Sequence, residues 1–513
     1  MKNGYIPRDQ RKKIILLSDD CRQTSGIGRM SLEFIIGTAH RYNWVQIAGS
    51  VQHPEKGKII NLDAGINKEA GIDDSSVKLY PVDGYGNADI LNEVINLEKP
   101  DALLHFTDPR FWIWLYQIER EIRQKMPIMY YNIWDDLPAP MYNRAYYESC
   151  DALFSISKQT YNINKMVLGP NNCRSIDGEF DADGNCVKVS DVNSKKHLLH
   201  YVPHGINVKT FRPLKSEADS IELEIVKKQL FKKKYDYVIF YNSRNIRRKQ
   251  TSSIMLAYRN FCDNLSKEEA SKCVLLMHTQ PIDDAGTDLY AIKEAFCPDN
   301  DVIFSTDKVL PERLNQYYNI ADVTVSMSDN EGFGIGTVES LAAGTPIIVT
   351  VTGGLQDQCG FVDDVGNPIE FSMDWGSNHD GKFKKHGSWV TPLYPAARQA
   401  QGSISTPHIF ADHARWEECA EAMMYWFLLG RNKRKEFGDV GRSWVCASDG
   451  LNAENMCSKM IEGIDTALSS WKGRERFNIH RHDEYVGNNM PDKKIGITLP
   501  KIDKSKIIEK YSS

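Results

Sequence analysis

At 513 residues the chain has room for two to four domains, and its 41% apolar and 26% charged residues are those of an ordinary globular protein. A formal net charge of −5 removes any global attraction to nucleic acid or an anionic membrane, leaving only local patches to consider. No apolar run approaches the roughly 18 residues of a membrane-spanning helix, and the polar start MKNGYIPRDQRKK is not a signal peptide. Eleven cysteines without CxxC or other metal spacing point to reduced thiols in a cytoplasmic compartment.

In chain order, Lys12 to Ser18 (KKIILLS) is the first predicted strand. A turn with Gly26-Ile27-Gly28-Arg29 follows, and then a helix from Met30. This opening suits a Rossmann-like domain but is not the dinucleotide fingerprint, because the third glycine is missing at the required spacing. Further strands are predicted at 44–51, 77–82, 101–106, 127–134 and 152–157, with an amphipathic helix over 111–125. Asp135-Asp136 stand at the C-terminal end of the 127–134 strand.

The stretch 169–196 is rich in Asn, Asp, Gly, Ser and Lys and reads as a surface hairpin or insertion. Its Asp181-Ala182-Asp183 is formally a DxD sequence, but DADGN is far more commonly a turn than a metal–nucleotide ligand. HLLHYVPHGINVKTFRP (197–213) ends a strand near Tyr201 and turns at an interdomain position. A second α/β series then opens with YDYVIFY (235–241) and continues at 274–279, 301–306, 321–327 and 346–351. Two successive α/β halves imply two facing Rossmann-like domains with a cleft between them. The expected division is 1–214, 215–455, and a C-terminal helix and tail over 456–513 that return to the first domain. Residues 359–408, rich in Gly, Pro, Asp and Ser, read as a long elaborated loop. Helices are expected at 416–430 and after it. The tail 471–485 mixes cations and aromatics and is more simply a solvated helix end than a nucleic-acid contact.

The densest cluster of chemistry is Asp329 to Asp357, DNEGFGIGTVESLAAGTPIIVTVTGGLQD. Strand, glycine loop, helix and strand form one βαβ unit whose loop lies where open α/β sheets bind ligands. Backbone N–H groups at Gly334 to Thr337 can receive an anion at the helix start, and Glu331 and Glu339 frame the loop, with Glu339 expected in the first helical turn. In Tyr241-Asn242-Ser243-Arg244-Asn245-Ile246-Arg247-Arg248-Lys249, Arg244 and Lys249 are five apart at a strand end, two cations suited to a diphosphate.

Two glutamates eight apart followed by Gly-Thr-Pro and Gly-Gly resemble the Glu-x7-Glu signature of retaining glycosyltransferases of the GT-B fold (glycosyl transferases group 1), and the chain as a whole resembles members encoded by tailed bacteriophages. Arg244 with Lys249 resembles the family's Gly-Arg-Leu…Lys loop, Gly26-Ile27-Gly28-Arg29 its glycine-rich loop, and PHGINVKTFRP its hinge segment. The resemblance covers most of 12–355. It implies a retaining, metal-independent transferase that takes a sugar from a nucleotide diphosphate sugar, UDP in the first instance, with no cofactor beyond that donor. Arg244 and Lys249 would then hold the diphosphate, Glu331 with the backbone of Phe333, Gly334, Ile335 and Gly336 the sugar, and Glu339 the ribose. Gly26 and Gly28 would approach from the facing domain. Where the family has a histidine after the strand at 127–134, this chain has Trp134-Asp135-Asp136, so an aspartate, Asp135, would take that role, and Asp135 or Asp108 would orient the acceptor hydroxyl or stabilise positive charge. The ending Gly353-Gly354-Leu355-Gln356-Asp357 is one methylene shorter than the family's Glu. Some phage relatives modify hydroxylated bases, so the first acceptor expected is a hydroxymethylated base in DNA, reached by base flipping. A polysaccharide or lipid-linked glycan is the alternative. A nucleotide-sugar-binding protein without transfer activity, and a GT-B phosphorylase or epimerase, are the competing readings.

Overall fold

The computed structural model describes residues 4–176, 178–180, 186–187, 197–369, 383–474 and Ser505. The Asp181-Ala182-Asp183 stretch, residues 370–382 and residues 475–485 of the cationic tail lie outside the described residues.

Two parallel sheets carry the chain. In the first, Lys12–Asp19 is central, with Tyr42–Gly49 then Val77–Pro81 on one side. On the other side come Ala102–Phe106, Ile128–Asn132, Ala152–Ser155 and His197–Tyr201, all parallel. Short strands at both edges bring this sheet to eleven among the described residues. A parallel strand covered by helices on both faces must be apolar at every position rather than at alternate ones. Lys12–Asp19 meets that demand: Ile14 and Leu16 enter one core and Ile15 and Leu17 the other.

The second sheet runs Val302–Ser305, Cys273–His278, Tyr237–Asn242, Val323–Ser326, Ile347–Thr350, Val390–Leu393, again all parallel. In chain order this is 3-2-1-4-5-6, the order of a doubly wound nucleotide-binding domain, and it reverses between Tyr237–Asn242 and Val323–Ser326. The two Rossmann-like halves and their cleft are therefore present. No helix among the described residues is long and apolar enough to cross a membrane.

Helix Trp416–Val445 bends at Gly430, whose φ of 73° is outside the helical range. The final helix, Ala453–Ser470, packs on the first half: a Cβ on Gly37 would fall 2.1 Å from Cys457 Sγ, and one on Gly463 would fall 2.9 Å from the Phe154 ring. Tyr42 OH donates to Asp465 Oδ1 at 2.6 Å.

Four local expectations are corrected. The Gly26-Ile27-Gly28 turn is already helix, since Gly26–Thr38 starts there with Ser25 Oγ accepting from Gly28 N–H at 3.0 Å. The amphipathic stretch 111–125 breaks into short turns, Pro109–Trp112, Ile113–Gln117 and Glu119–Ile122, because its aromatic and β-branched residues are poor helix formers. Glu339 is the fifth residue of helix Ile335–Ala342, one turn deeper than expected. The described part of 359–408 is not all loop. Val390–Leu393 is the sixth strand, and Ala397–Ser403 pairs antiparallel with Thr406–His413 as a hairpin.

Candidate active site

A cavity of about 400 Å3 opens at the carboxyl ends of Tyr237–Asn242 and Val323–Ser326, where the strand order reverses. Its floor is the strand ends at Tyr241–Ser243 and Thr324–Ser326, and one wall is the glycine loop Glu331–Thr337. The facing half supplies Gly26, Ile27, Ile133, Asp135, Ile156 and His204. The cleft is narrow: a Cβ on Gly332 would stand 3.1 Å from both Ile133 O and Ile156 Cδ1, and one on Gly26 3.3 Å from Ile335 Cδ1.

Lys249 and Arg248 come to the cavity together. The turn Arg247–Lys249 follows directly from the first strand of the second sheet, and Gln250, at φ 52°, reverses the backbone into helix Thr251–Asp263. Lys249 Nζ is paired with Glu331 Oε2, and Arg248 Nη1 lies 3.4 Å from the same oxygen. Arg248 also donates to Asn330 O and stands 4.0 Å from Asp135 Oδ2. Burial opposes ionisation of Glu331, but Lys249 and Arg248 outweigh it and hold the carboxyl below the ordinary glutamate range. Lys249 and Arg248 thus share Glu331, with Asp135 at the edge of Arg248's reach.

The glycine loop is shaped by close approach. Gly334, at φ +87°, caps helix Ile335–Ala342, so the unpaired N–H groups of the first helical turn face the cavity. Gly353 and Gly354 press on the loop from behind, where a Cβ would fall 2.1 Å from Glu331 O and 2.3 Å from Gly332 O. Gly354 N–H donates to Glu331 O at 2.8 Å, and Gln358 Nε2 to Phe333 O at 2.6 Å. Asp357 reaches across to the other half, accepting from Lys158 N–H at 2.9 Å and Tyr201 OH at 3.0 Å.

Of the residues expected from sequence, Lys249, Glu331, Phe333, Gly334, Ile335, Gly336, Asp135 and Gly26 line the cavity. Asp135 is pushed above the ordinary aspartate range by burial and then by Glu331, against Arg248 and Lys249. Four expected residues stand elsewhere. Arg244 is largely exposed and pairs with Asp283 at 2.7 Å, because the buried side chain of Asn245 is held by Pro281 O and Thr287 O and turns the loop outward there. Arg248 takes the inner place instead. Gly28 supports the turn from behind, where a Cβ would fall 2.7 Å from Asp20 O. Glu339 is buried beneath the loop, with Oε1 accepting from Arg29 Nη2 at 2.5 Å and Oε2 from Tyr318 OH at 2.9 Å. Asp108 pairs with Arg110 at 2.5 Å outside the cavity.

Sequence reasoning missed His204, Asn242 and Arg248. His204 touches Phe333 ring to ring at 5.1 Å and receives or gives a hydrogen bond at Nδ1 with Tyr131 OH, 2.9 Å away. Burial pushes its imidazole down to about 3, so it is neutral at physiological pH. Only its place in the PHGIN turn singled it out.

Residues 223–361 match the family described as Glycosyl transferases group 1. No curated protein sequence matches the chain. Among solved structures, sucrose-phosphate synthase from Thermosynechococcus elongatus is similar at 15% identity and a TM-score of 0.58, covering 90% of this chain and all of that one. A glycosyltransferase from Rickettsia africae aligns at 14% identity and TM-score 0.56, covering 90% and 99%. Anabaena HepE, solved with UDP and glucose, aligns at 11% and 0.57, covering 89% and 100%. These identities establish the shared fold. With the family match over 223–361 and the cavity at the switch point, the chain is a glycosyltransferase of the GT-B fold whose second half carries a glycosyl transferases group 1 domain.

Proposed function

We propose that the protein transfers a sugar from a UDP-sugar to an acceptor hydroxyl with retention at the anomeric carbon. The observation that carries this reading is the Lys249–Glu331–Arg248 cluster beside the open start of helix Ile335–Ala342. The neighbour HepE was solved with UDP and glucose, and a trehalose-6-phosphate enzyme of E. coli with UDP-2-fluoro glucose, which supports UDP as the nucleotide.

The diphosphate lies against the N–H groups near Gly334 to Thr337, with Lys249 and Arg248 facing its oxygens. As the bond from the anomeric carbon to the β-phosphate oxygen breaks, negative charge grows on that oxygen. Preorganised donors and cations in a water-poor cleft stabilise it, commonly the largest catalytic contribution. Glu331 holds the sugar and keeps Lys249 in place. The acceptor oxygen attacks on the face the phosphate leaves, and its proton passes to the departing phosphate oxygen. We assign the step no metal. Asp135 is placed to orient the acceptor or steady positive charge on the ring. Glu339 reads the ribose hydroxyls by exchanging Arg29 for them, and Arg244 acts at most from outside the cavity. The domain division 1–214, 215–455 and 456–513 belongs to this proposal, with the last helix restoring the first half.

The acceptor classes carried from the sequence are a hydroxymethylated base in DNA, as in phage enzymes, and a glycan. Incubating the protein with UDP-hexoses plus EDTA, and with hydroxymethylated DNA, plain DNA and soluble glycans in separate reactions, tests the function. Transfer with retention in EDTA supports it. UDP-sugar that is neither bound nor consumed contradicts it.

A further inference from the structure

The hairpin of Ala397–Ser403 and Thr406–His413 springs from the second half but is fastened to both halves. At its base Asp412 N–H donates to Asp329 O at 3.0 Å, and Asn330 Nδ2 to Phe410 O at 2.5 Å, immediately before Glu331. From the same residue outward, Phe410 N–H donates to Leu137 O at 2.5 Å and Tyr142 OH to His408 O at 3.0 Å. Arg110 Nη1 donates to Thr406 Oγ1 at 2.5 Å. The hairpin thus runs from the donor loop to Arg110, whose guanidinium lies 5.9 Å from the ring centroid of Trp134, the neighbour of Asp135.

Next to Arg110 is an aromatic pair, an exposed Phe111 on a half-buried Tyr85. Phe111, 47% exposed, stacks on Tyr85 with centroids 4.4 Å apart and planes 17° from parallel. Tyr85 OH donates to Asp19 Oδ1 at 3.0 Å. Asp19 Oδ2 accepts from Ser25 Oγ at 2.8 Å, and Ser25 caps the helix whose Gly26 and Ile27 line the cavity. The platform is therefore joined to the donor site from both sides. Thr107, which leads into Asp108–Arg110, holds φ at +109°, a costly conformation for a β-branched residue and one that clusters at functional positions. Ile404, at the hairpin tip beside Ser405, is fully exposed.

The charge around this platform selects among ligands. Arg110 is doubly engaged by Asp108, with contacts of 2.9 and 2.5 Å, so its charge is spent locally, and Asp19 adds a carboxylate. A phosphate backbone meets no net cation here. A ring with an apolar face and hydroxyls on its edge meets the aromatic plane of Phe111, with the exposed Ser405 beside Arg110.

We infer that Tyr85, Phe111 and the hairpin tip at Ile404 form the acceptor subsite, and that its occupant is a neutral carbohydrate ring stacked on Phe111. The inference rests on the donor-site reading above for its place in the reaction. The test is saturation-transfer NMR on the full-length protein, with and without UDP. The probes are the methyl glycosides of glucose, galactose, mannose and N-acetylglucosamine, and a hydroxymethylcytosine DNA duplex is titrated in parallel. The expected result is transfer to ring protons of at least one glycoside, reduced at least fivefold in Phe111→Ala and in Ile404→Asp, with UDP affinity within twofold of wild type. Equal transfer in the variants, or none to any glycoside, overturns it, whether or not the duplex binds. If UDP does not bind while the Phe111-dependent signal persists, the donor reading fails and the carbohydrate subsite stands.

Discussion

Arg29 Nη2 donates to Glu339 Oε1 at 2.5 Å across the cleft, joining the first helix of one half to the glycine-loop helix of the other. Glu339 is buried and its other oxygen accepts from Tyr318, so the ribose of a nucleotide can reach this carboxylate only by replacing Arg29. Removing Arg29 leaves the carboxylate short of a partner until ribose hydroxyls supply one. Arg29→Ala is expected to bind UDP about fivefold more tightly, near the 1 kcal/mol scale of a partly exposed ion pair. Glu339→Gln is expected to bind it at least tenfold more weakly. Titration calorimetry with UDP reads both.

The cation pair makes a sharper prediction. Lys249→Met is expected to lower turnover about 100-fold, the scale of one lost transition-state donor, while UDP affinity falls less than fivefold. Because the substitution leaves the buried Glu331 charge with Arg248 alone, Tm should drop as well. The double variant Lys249→Met/Glu331→Gln should recover Tm, which would assign the stability loss to the under-paired Glu331 charge.

Arg244 and Arg248 can be told apart directly. Arg244→Ala breaks only an exposed pair with Asp283 and should change turnover less than threefold. Arg248→Ala removes a cation from the cavity and should reduce it more than tenfold. Steady-state UDP release measures each.

Asp329 ties the hairpin base to the donor loop and carries a pH signature. Burial, then Asp412, push its carboxyl up to about 6 against the pull of Gln250 and His413. The folded state therefore binds more protons than the unfolded chain between the two values, and stability declines as pH rises from about 4 through 6. Asp329→Asn should remove that decline, worth on the order of 2 kcal/mol. Urea denaturation at pH 4, 5, 6 and 7 of both proteins, compared point by point, checks it.

The parallel strands were legible because a strand buried on both faces must be a continuous apolar run, as in KKIILLS and YDYVIFY. Val390–Leu393 was not: it is four residues long and contains Pro392. Nor was the hairpin, since the strand Ala397–Ser403 is exposed along its whole length and needs no apolar alternation. Within the site, Lys249, Glu331 and the glycine loop could be read from local spacing. Arg248 in place of Arg244 could not, because the path of that loop is set by Asn245 bonding to residues about forty positions away. The Arg29–Glu339 pair spans 310 positions and has no local trace at all.

The donor site itself is tested most directly by proton NMR of a UDP-α-hexose consumed by wild type and by Lys249→Ala in the presence of acceptor. The expected product keeps the small anomeric coupling of an α-linkage, formed by the variant about 100-fold more slowly. A β-linked product, or equal rates in the two proteins, would contradict the account.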